Sequence, residues 1–485
     1  MNEKADKEFV KDICAQGTDF SQWYIDVVRK AELADYAPVR GCMVIRPYGF
    51  AIWENLQRAL DDRIKASGHE NAYFPLLIPE SLLAKEAEHV EGFSPQVAWV
   101  TRGGDEDLEE RLALRPTSEA IICSMYAKWI RSWRDLPVLI NQWANVIRWE
   151  KVTRLFLRTT EFLWQEGHTA HRTEREAEEE TLRVLDLYAD FLHDVMAIPA
   201  FKGVKTEREK FAGAVRTYAV EALMPDGRAL QAGTTHHLGQ HFARVFDITY
   251  LEEDNQLHYV WQTSWGVSTR LMGGLIMVHG DDAGLKIPPR LAPIQAVVVP
   301  ITFEKSKAEV GAAARELTTA LQAAGVRVKL DDRDEYKPGW KFNEWELRGV
   351  PLRLELGPRD LAAGAVTAVR RDNRVKQQVP LAQVPAWVRA ELEAIQRDML
   401  AAATAYRDAH TRVATSRDDF YLLFQGRPGF VRAPWCGDGV CEDRIAEETG
   451  ATIRFLPLAT EAAAGEQCVG CEERAREWAY FAKAY

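Results

Sequence analysis

Short apolar runs alternate with helical periods through the middle of this 485-residue chain. Ile294-Gln-Ala-Val-Val-Val299 reads as a buried strand, Ala308–Ala324 repeats its apolar positions at helical spacing up to Gly325, and Val326–Leu330 reads as a second strand. A helix over Gly339–Arg348 and a strand over Leu352–Leu356 follow. Strands and helices alternating in this way predict a small α/β domain with a mixed sheet. A long helical pattern then runs from Ala386 to about Ala409. Upstream, Pro288, Pro289 and Pro293 cannot continue a helix and predict a linker over 286–293. The expected units are therefore 1–285, 294–400 and 401–485.

The first unit has another rhythm. Asn145–Glu150 and Leu157–His168 mix apolar residues with charge and predict strand, loop, strand. Two-residue spacing puts Arg148 with Glu150, and Glu166 with His168, on one face of each strand. A face carrying Arg, Glu, Glu and His is poor core and good site. Pro116-Thr117-Ser118-Glu119 before an apolar run predicts a capped helix start. Gly266 precedes a polar turn and an apolar helix with Arg270 near its start. Arginine is unfavourable there for the helix dipole and points to a nearby anion. Gly273 and Gly274 predict close helix–sheet packing, and the acidic run Glu174–Glu180 the solvated face of a helix.

Composition adds mainly exclusions. Hydrophobic residues make up 47% and charged residues 27%, an ordinary globular balance. With 61 Lys and Arg against 72 Asp and Glu, net −11, a generally basic coat is excluded, though not a local basic surface. The charged start MNEKADKEFVKDIC holds no apolar signal core, and no window reaches the ~18 apolar residues of a membrane helix. Seven cysteines are too few for a disulfide scaffold, so the expectation is a soluble cytoplasmic protein with no membrane contact.

Cys436-x4-Cys441 and Cys468-x2-Cys471 pair thiols at short spacing, which suits tetrahedral Zn²⁺. His236 and His237 are adjacent, so on a strand they face opposite ways; a hydrogen-bonding role toward a ligand is favoured over a metal. From Gly325 to Lys376 there are 12 Lys and Arg against 9 Asp and Glu, interleaved with Trp340, Phe342 and Trp345. This combination suits phosphate contact and stacking on unpaired bases, against a core-facing aromatic stripe.

Together these residues resemble class II aminoacyl-tRNA synthetases, specifically the prolyl-tRNA synthetase family. Arg148-Trp-Glu150 through Leu157-Arg158-Thr159 to Trp164-Gln-Glu166-Gly-His168 resembles motif 2, Gly266–Val278 motif 3, and Asn71–Glu80 motif 1, the family's dimer-forming element. Arg115-Pro-Thr117-Ser-Glu119 resembles the proline-binding loop, and the Gln231, Thr234, His236 element matches as well. The resemblance covers essentially the whole chain. It implies an α+β class II catalytic domain built on an antiparallel sheet, a small α/β anticodon-binding domain and a C-terminal zinc-binding α/β domain.

The resemblance also implies chemistry: ATP-dependent joining of L-proline to tRNA(Pro) through a prolyl-adenylate, in a cytoplasmic homodimer. Arg148, Glu150 and Arg270 would be catalytic. ATP would meet Arg148, Glu150, Arg158, Thr159, Gln231, Thr234, Ser268 and Arg270, with Mg²⁺ on its phosphates. Thr117, Glu119, Arg148, Trp164, Glu166, His168, Phe211 and His236 would hold proline, and Trp340, Lys341, Phe342, Glu344 and Arg348 the anticodon. Cys436, Cys441, Cys468 and Cys471 would hold Zn²⁺. Only about 60 residues separate His168 from Gln231, too few for an added editing domain of ~100 residues, so the archaeal/eukaryotic-like type is implied. A sister enzyme for threonine is disfavoured by Trp164 and Phe211. A catalytically idle RNA-binding relative is disfavoured by Arg148, Glu150, Arg158 and Arg270 standing together. The ending at Tyr485 resembles members whose terminal tyrosine carboxylate reaches towards the active site.

Overall fold

A computed structural model describes residues 13–87 and 97–485. The charged start of the chain, through residue 12, lies outside the described residues.

The first unit includes helix α1 (Pro47–Ala66), strand β1 (Glu70–Asn71), helix α2 (Glu119–Trp129), strands β2 (Val138–Ile147) and β3 (Glu161–His171), helix α3 (Glu174–Asp194), strands β4 (Ala200–Val204), β5 (Arg216–Leu223), β6 (Ala229–Gly239) and β7 (Trp261–Ser268), and helix α4 (Arg270–His279). Strands β4-β5-β6-β7-β3-β2 are antiparallel neighbours, with β1 added parallel at the edge of β2. Alternation along each strand divides its residues between two faces. One face rests on a core with Trp53 and Leu60 of α1, Leu185 and Tyr188 of α3 and Leu271 and Leu275 of α4. Gly167 of β3 is forced by this packing, because a Cβ there would sit 2.1 Å from the Trp265 ring.

Two expectations change here. The strand carrying Asn145 ends at Ile147, so Arg148 and Glu150 sit in the loop beyond it, tied back where Arg148 N–H donates to Thr160 O at 2.8 Å. The acidic run does open α3, but Glu180 is buried, 3.0 Å from His69 Nε2. Seven consecutive residues wrap nearly twice around a helix, so one of them meets the core.

The second unit has strands β8 (Ala296–Pro300), β9 (Val328–Leu330), β10 (Leu352–Leu356), β11 (Ala365–Arg370) and β12 (Lys376–Pro380), and helices α5 (Lys307–Ala323), α6 (Pro338–Leu347) and α7 (Val384–Ala409). Its sheet, β9-β8-β10-β11-β12, is parallel on one side and antiparallel on the other. The mixed sheet expected from the alternation is thus present. The proline-rich segment before it is packed rather than loose. Ile287, Leu291 and Ala292 are buried in the first core, and Arg327 Nε donates to Ala292 O at 2.8 Å.

The C-terminal unit has strands β13 (Thr411–Val413) and β14 (Phe430–Trp435), helix α8 (Gly439–Thr449), and strands β15 (Thr452–Pro457) and β16 (Glu477–Ala482). Its β15 pairs with β4, so one eleven-stranded sheet runs from this unit through the first, in the order β13-β14-β16-β15-β4-β5-β6-β7-β3-β2-β1. Among the described residues, no helix is long and apolar enough to cross a membrane.

Candidate functional site

The open face of the large sheet floors a cavity of about 320 Å³. Phe162, Trp164, Glu166 and His168 of β3 line it at every second residue, and β7 contributes its whole run from Ser264 to Ser268. On β6 the alternation is broken. Val220 pairs with Gly233 but Glu221 with Gln231, so Ala232 is an extra residue that brings Gln231 into the cavity together with Thr234 and His236. His237 faces away and accepts a hydrogen bond from Gly239 N–H at 3.1 Å.

The cavity holds a carboxylate nest. Glu166 accepts from Ser118 Oγ at 2.5 Å, Gln142 Nε2 at 2.8 Å and His168 Nε2 at 3.0 Å. Thr117 donates its hydroxyl to Glu119, and ligand atoms of Glu119, Glu166 and His168 all lie within 4.8 Å of one another. Burial opposes charge on both Glu166 and His168. Their mutual hydrogen bond and nearby opposite charges outweigh it, holding the carboxyl low and the imidazole high. Arg148 adjoins this nest: after burial, which lowers it, the charges of Glu119 and Glu166 act on it most strongly, so acids and bases meet in one cavity. His236 differs: burial and the neighbouring His168 push it down to about 3, leaving a neutral hydrogen-bonding ring.

Arginines line the same cavity. Arg148 Nε donates to Pro116 O at 2.9 Å, and its guanidinium lies 5.5 Å and 5.3 Å from the rings of Phe162 and Trp164. Arg270 lines the cavity at the start of α4, where burial and then the charges of Arg158 and Arg148 lower it to about 10. Arginines that repel one another in this way call for an anion. Glu150 is 4.0 Å from Arg158, so one carboxylate offsets part of the charge. Gly273 has no side chain where Leu157 crosses, since a Cβ would meet Leu157 Cδ2 at 2.3 Å. The loop bearing Arg158 therefore seats directly on the helix bearing Arg270, whose Nε donates to Leu157 O at 3.3 Å.

Of the expected ligand residues, Thr117, Glu119, Arg148, Trp164, Glu166, His168, Phe211, Gln231, Thr234, His236, Ser268 and Arg270 line this one cavity. Glu150, Arg158 and Thr159 do not; Thr159 is buried with its hydroxyl donated to Glu161 O at 2.7 Å. Sequence reasoning missed Gln142, Thr217, Glu209 and Ser264. Only the fold brings Gln142 to Glu166, and Thr217 Oγ1 within 3.0 Å of His236 Nδ1. Trp164 Nε1 and Ser264 Oγ are buried here without a partner, consistent with a ligand that completes them.

In the C-terminal unit the four cysteine sulfurs gather within 4.8 Å of one another, with Cys441 and Cys468 Sγ 3.7 Å apart. Sulfurs at ~2.3 Å from a tetrahedral Zn²⁺ would stand roughly 3.8 Å apart, so the set fits that ion. Gly470 N–H donates to Cys468 Sγ at 3.4 Å and Arg444 to Cys441 Sγ at 3.8 Å, both favouring thiolate.

The expected anticodon residues separate. Lys341, Glu344 and Trp345 are buried around Asp331 and Arg333, with Trp345 Nε1 donating to Asp331 at 2.8 Å while its ring also lines a small cavity. Arg348 turns to Glu32 at 2.5 Å, bridging to the first unit. Trp340 stacks on Tyr336 at 3.9 Å. Phe342 lies under Arg353 at 4.3 Å, beside a cavity of about 170 Å³ lined by Glu346, Arg353, Arg374 and Lys376. These lining residues were missed because they come from different elements and meet only in the folded sheet.

Three family models cover most of the chain: tRNA synthetase class II core domain (G, H, P, S and T) over residues 99–279, anticodon binding domain over 295–391, and prolyl-tRNA synthetase, C-terminal, over 418–485. The proline–tRNA ligases of Natranaerobius thermophilus and Symbiobacterium thermophilum are each 57% identical over 99% of this chain and 100% of their own. The crystal structure of prolyl-tRNA synthetase from Cryptosporidium parvum complexed with halofuginone and AMPPNP superposes with a TM-score of 0.93 at 40% identity, covering 98% of this chain and 99% of that one. Carboxylates and arginines gathered in one cavity, and relatives matched end to end, lead to one family: the chain belongs to the prolyl-tRNA synthetases, class II enzymes that attach proline to tRNA at the expense of ATP.

Proposed function

We propose that the two ends of the 320 Å³ cavity divide the substrates between them. The ammonium of L-proline sits against Glu119 and Glu166, with Thr117, His168 and His236 completing the hydrogen bonds. Trp164 and Phe211 wall the pyrrolidine ring, which offers only shape and apolar surface for selection. Arg148 takes the proline carboxylate and the ATP α-phosphate together. ATP enters as its magnesium complex, its polyphosphate running toward Arg158 and Arg270, with Glu150, Gln231, Thr234 and Ser268 on the nucleotide side. Thr159, buried beneath, supports that loop.

A carboxylate oxygen of proline attacks the α-phosphorus, pyrophosphate leaves, and a prolyl-adenylate remains. The nucleophile is already ionised, so the residues supply alignment and charge neutralisation rather than a base. A hydroxyl at the tRNA 3′ end then attacks the adenylate carbonyl and releases AMP.

The domain limits proposed are 1–285, 294–400 and 401–485, joined through 286–293. An anticodon base enters the cavity between Arg353, Arg374 and Lys376, with Phe342, Trp340, Lys341, Glu344 and Arg348 shaping that surface from behind or beside it. Zn²⁺ on the four cysteines would supply a redox-inert crosslink. Exposed Tyr73, Leu77 and Trp129 near the β1 edge support a homodimer through the 71–80 segment, and seven free cysteines fit a reducing cytoplasm.

The observation carrying this reading is the convergence of Glu119, Glu166, His168, Arg148 and Arg270 on one cavity. Proline-dependent ATP–pyrophosphate exchange, with alanine, cysteine and threonine as competitors, tests it. Exchange should be strongest with proline and lost in Arg148→Ala. Equal exchange with threonine would overturn the pocket assignment.

A further inference from the structure

The turn that walls the proline end of the cavity is anchored from outside the first unit. Between β4 and β5, Lys205 Nζ donates to Arg454 O at 2.9 Å, Thr206 Oγ1 to Glu442 Oε1 at 2.8 Å and Arg208 Nη2 to Asp443 Oδ2 at 2.6 Å. All three partners belong to the C-terminal unit, Glu442 and Asp443 on α8 and Arg454 on β15. Thr206 and Glu442 are both buried, so their bond is shielded from competing water.

From Thr206 the constraint runs directly into the cavity. Its hydroxyl accepts Glu209 N–H at 3.3 Å and its carbonyl accepts Lys210 N–H at 2.9 Å, closing a turn that delivers Glu209 and Phe211 to the lining. Phe211 N–H donates to Thr217 Oγ1 at 2.9 Å, and its ring lies 4.6 Å from that of His236. A pocket wall carried on one turn is only as well placed as its anchors, and small displacements are costly in a site that selects by shape.

We propose that Glu442 is a positioning residue for the proline pocket: by holding Thr206 it sets the place of Phe211, so that the C-terminal unit governs affinity for the amino acid without touching it. The inference rests on Phe211 being the pocket wall. The units are also joined by β15–β4 pairing and by Arg454 Nη2 donating to Glu221 at 2.9 Å, so removing the Thr206 bond leaves them docked.

The test is the exchange assay with separate KM values for proline and ATP. Thr206→Val is expected to raise KM for proline about tenfold, the scale of one buried hydrogen bond, with KM for ATP changed less than about twofold. Glu442→Leu should do the same, while Thr206→Ser and Glu442→Gln, which keep donor and acceptor, should preserve the parent value. Phe211→Ala serves as the control. If it raises KM for proline and Thr206→Val, melting like the parent, does not, the positioning role is overturned. If Phe211→Ala leaves KM for proline unchanged, the wall assignment fails instead. Should Thr206→Val not fold, Glu442→Leu reads the same bond from its other side, and an equal rise in both KM values there would overturn the proposal.

Discussion

His168 Nε2 lies 3.0 Å from Glu166 Oε2, two residues away on the same face of one strand, and both side chains are buried. A titratable pair so close together makes the pocket sensitive to pH. Glu166 is lowered from 4.5, so its contribution to stability is present above 4.5 and is lost as pH falls through the lower folded value. His168 is raised from 6.5, so its contribution is present below 6.5 and is lost as pH rises through the higher folded value. The pair therefore stabilises most between those limits. Melting temperatures of the parent and His168→Gln should differ most in that window and converge on the alkaline side; a constant difference across pH would refute the charged pair.

Arg148→Lys keeps the charge but loses the planar fork and the contact with Phe162 and Trp164. Proline-dependent exchange should fall by about 10²-fold or more in kcat/KM, roughly 3 kcal/mol, with little change in melting temperature. A loss below tenfold would show that positive charge alone suffices.

Cys468→Ser removes one ligand from the sulfur cluster at a buried position. One zinc per chain is expected by metal analysis of the parent, and the variant should lose it together with stability in the C-terminal unit. Metal retained at the parent level would argue against a four-thiolate site.

Gly167→Ala places a Cβ 2.1 Å from Trp265, within the sheet that floors the cavity. Overpacking of this kind costs about 1–3 kcal/mol, to be read by denaturant unfolding. An unchanged midpoint would mean that the Trp265 ring can swing aside.

Arg353→Ala empties one wall of the small cavity in the second unit. KM for tRNA should rise while KM for proline stays near the parent value, and the salt dependence of tRNA binding should shallow by about one unit of slope if the side chain meets a phosphate. A matching rise in KM for proline would place the defect elsewhere.

The alternation of the second unit was legible because strand and helix periods differ and the prolines and glycines punctuate them: Leu352–Leu356 is predicted and observed alike. Glu166 and His168 were legible for the same reason, since period two puts them on one face. What the sequence could not convey is contact between distant segments. Nothing in the spacing of Gln142 or Ser118 shows that both meet Glu166, nor that Ala232 breaks the alternation to turn Gln231 inward. The same limit explains the second unit, where the aromatic and basic residues were legible but not the contacts of Trp345 and Arg333 with Asp331.

The pairing of β15 with β4 has a consequence for how this chain can be divided. A fragment ending near residue 410 would lack the strand that covers the outer edge of β4, and Gly203 and Val204 would present unpaired backbone groups beside Phe201, whose ring rests on Phe430, Phe455 and Tyr480 of the missing part. An apolar open edge recruits other chains. Such a fragment is expected to precipitate when expressed alone, and adding the C-terminal piece in trans would rescue it by strand complementation.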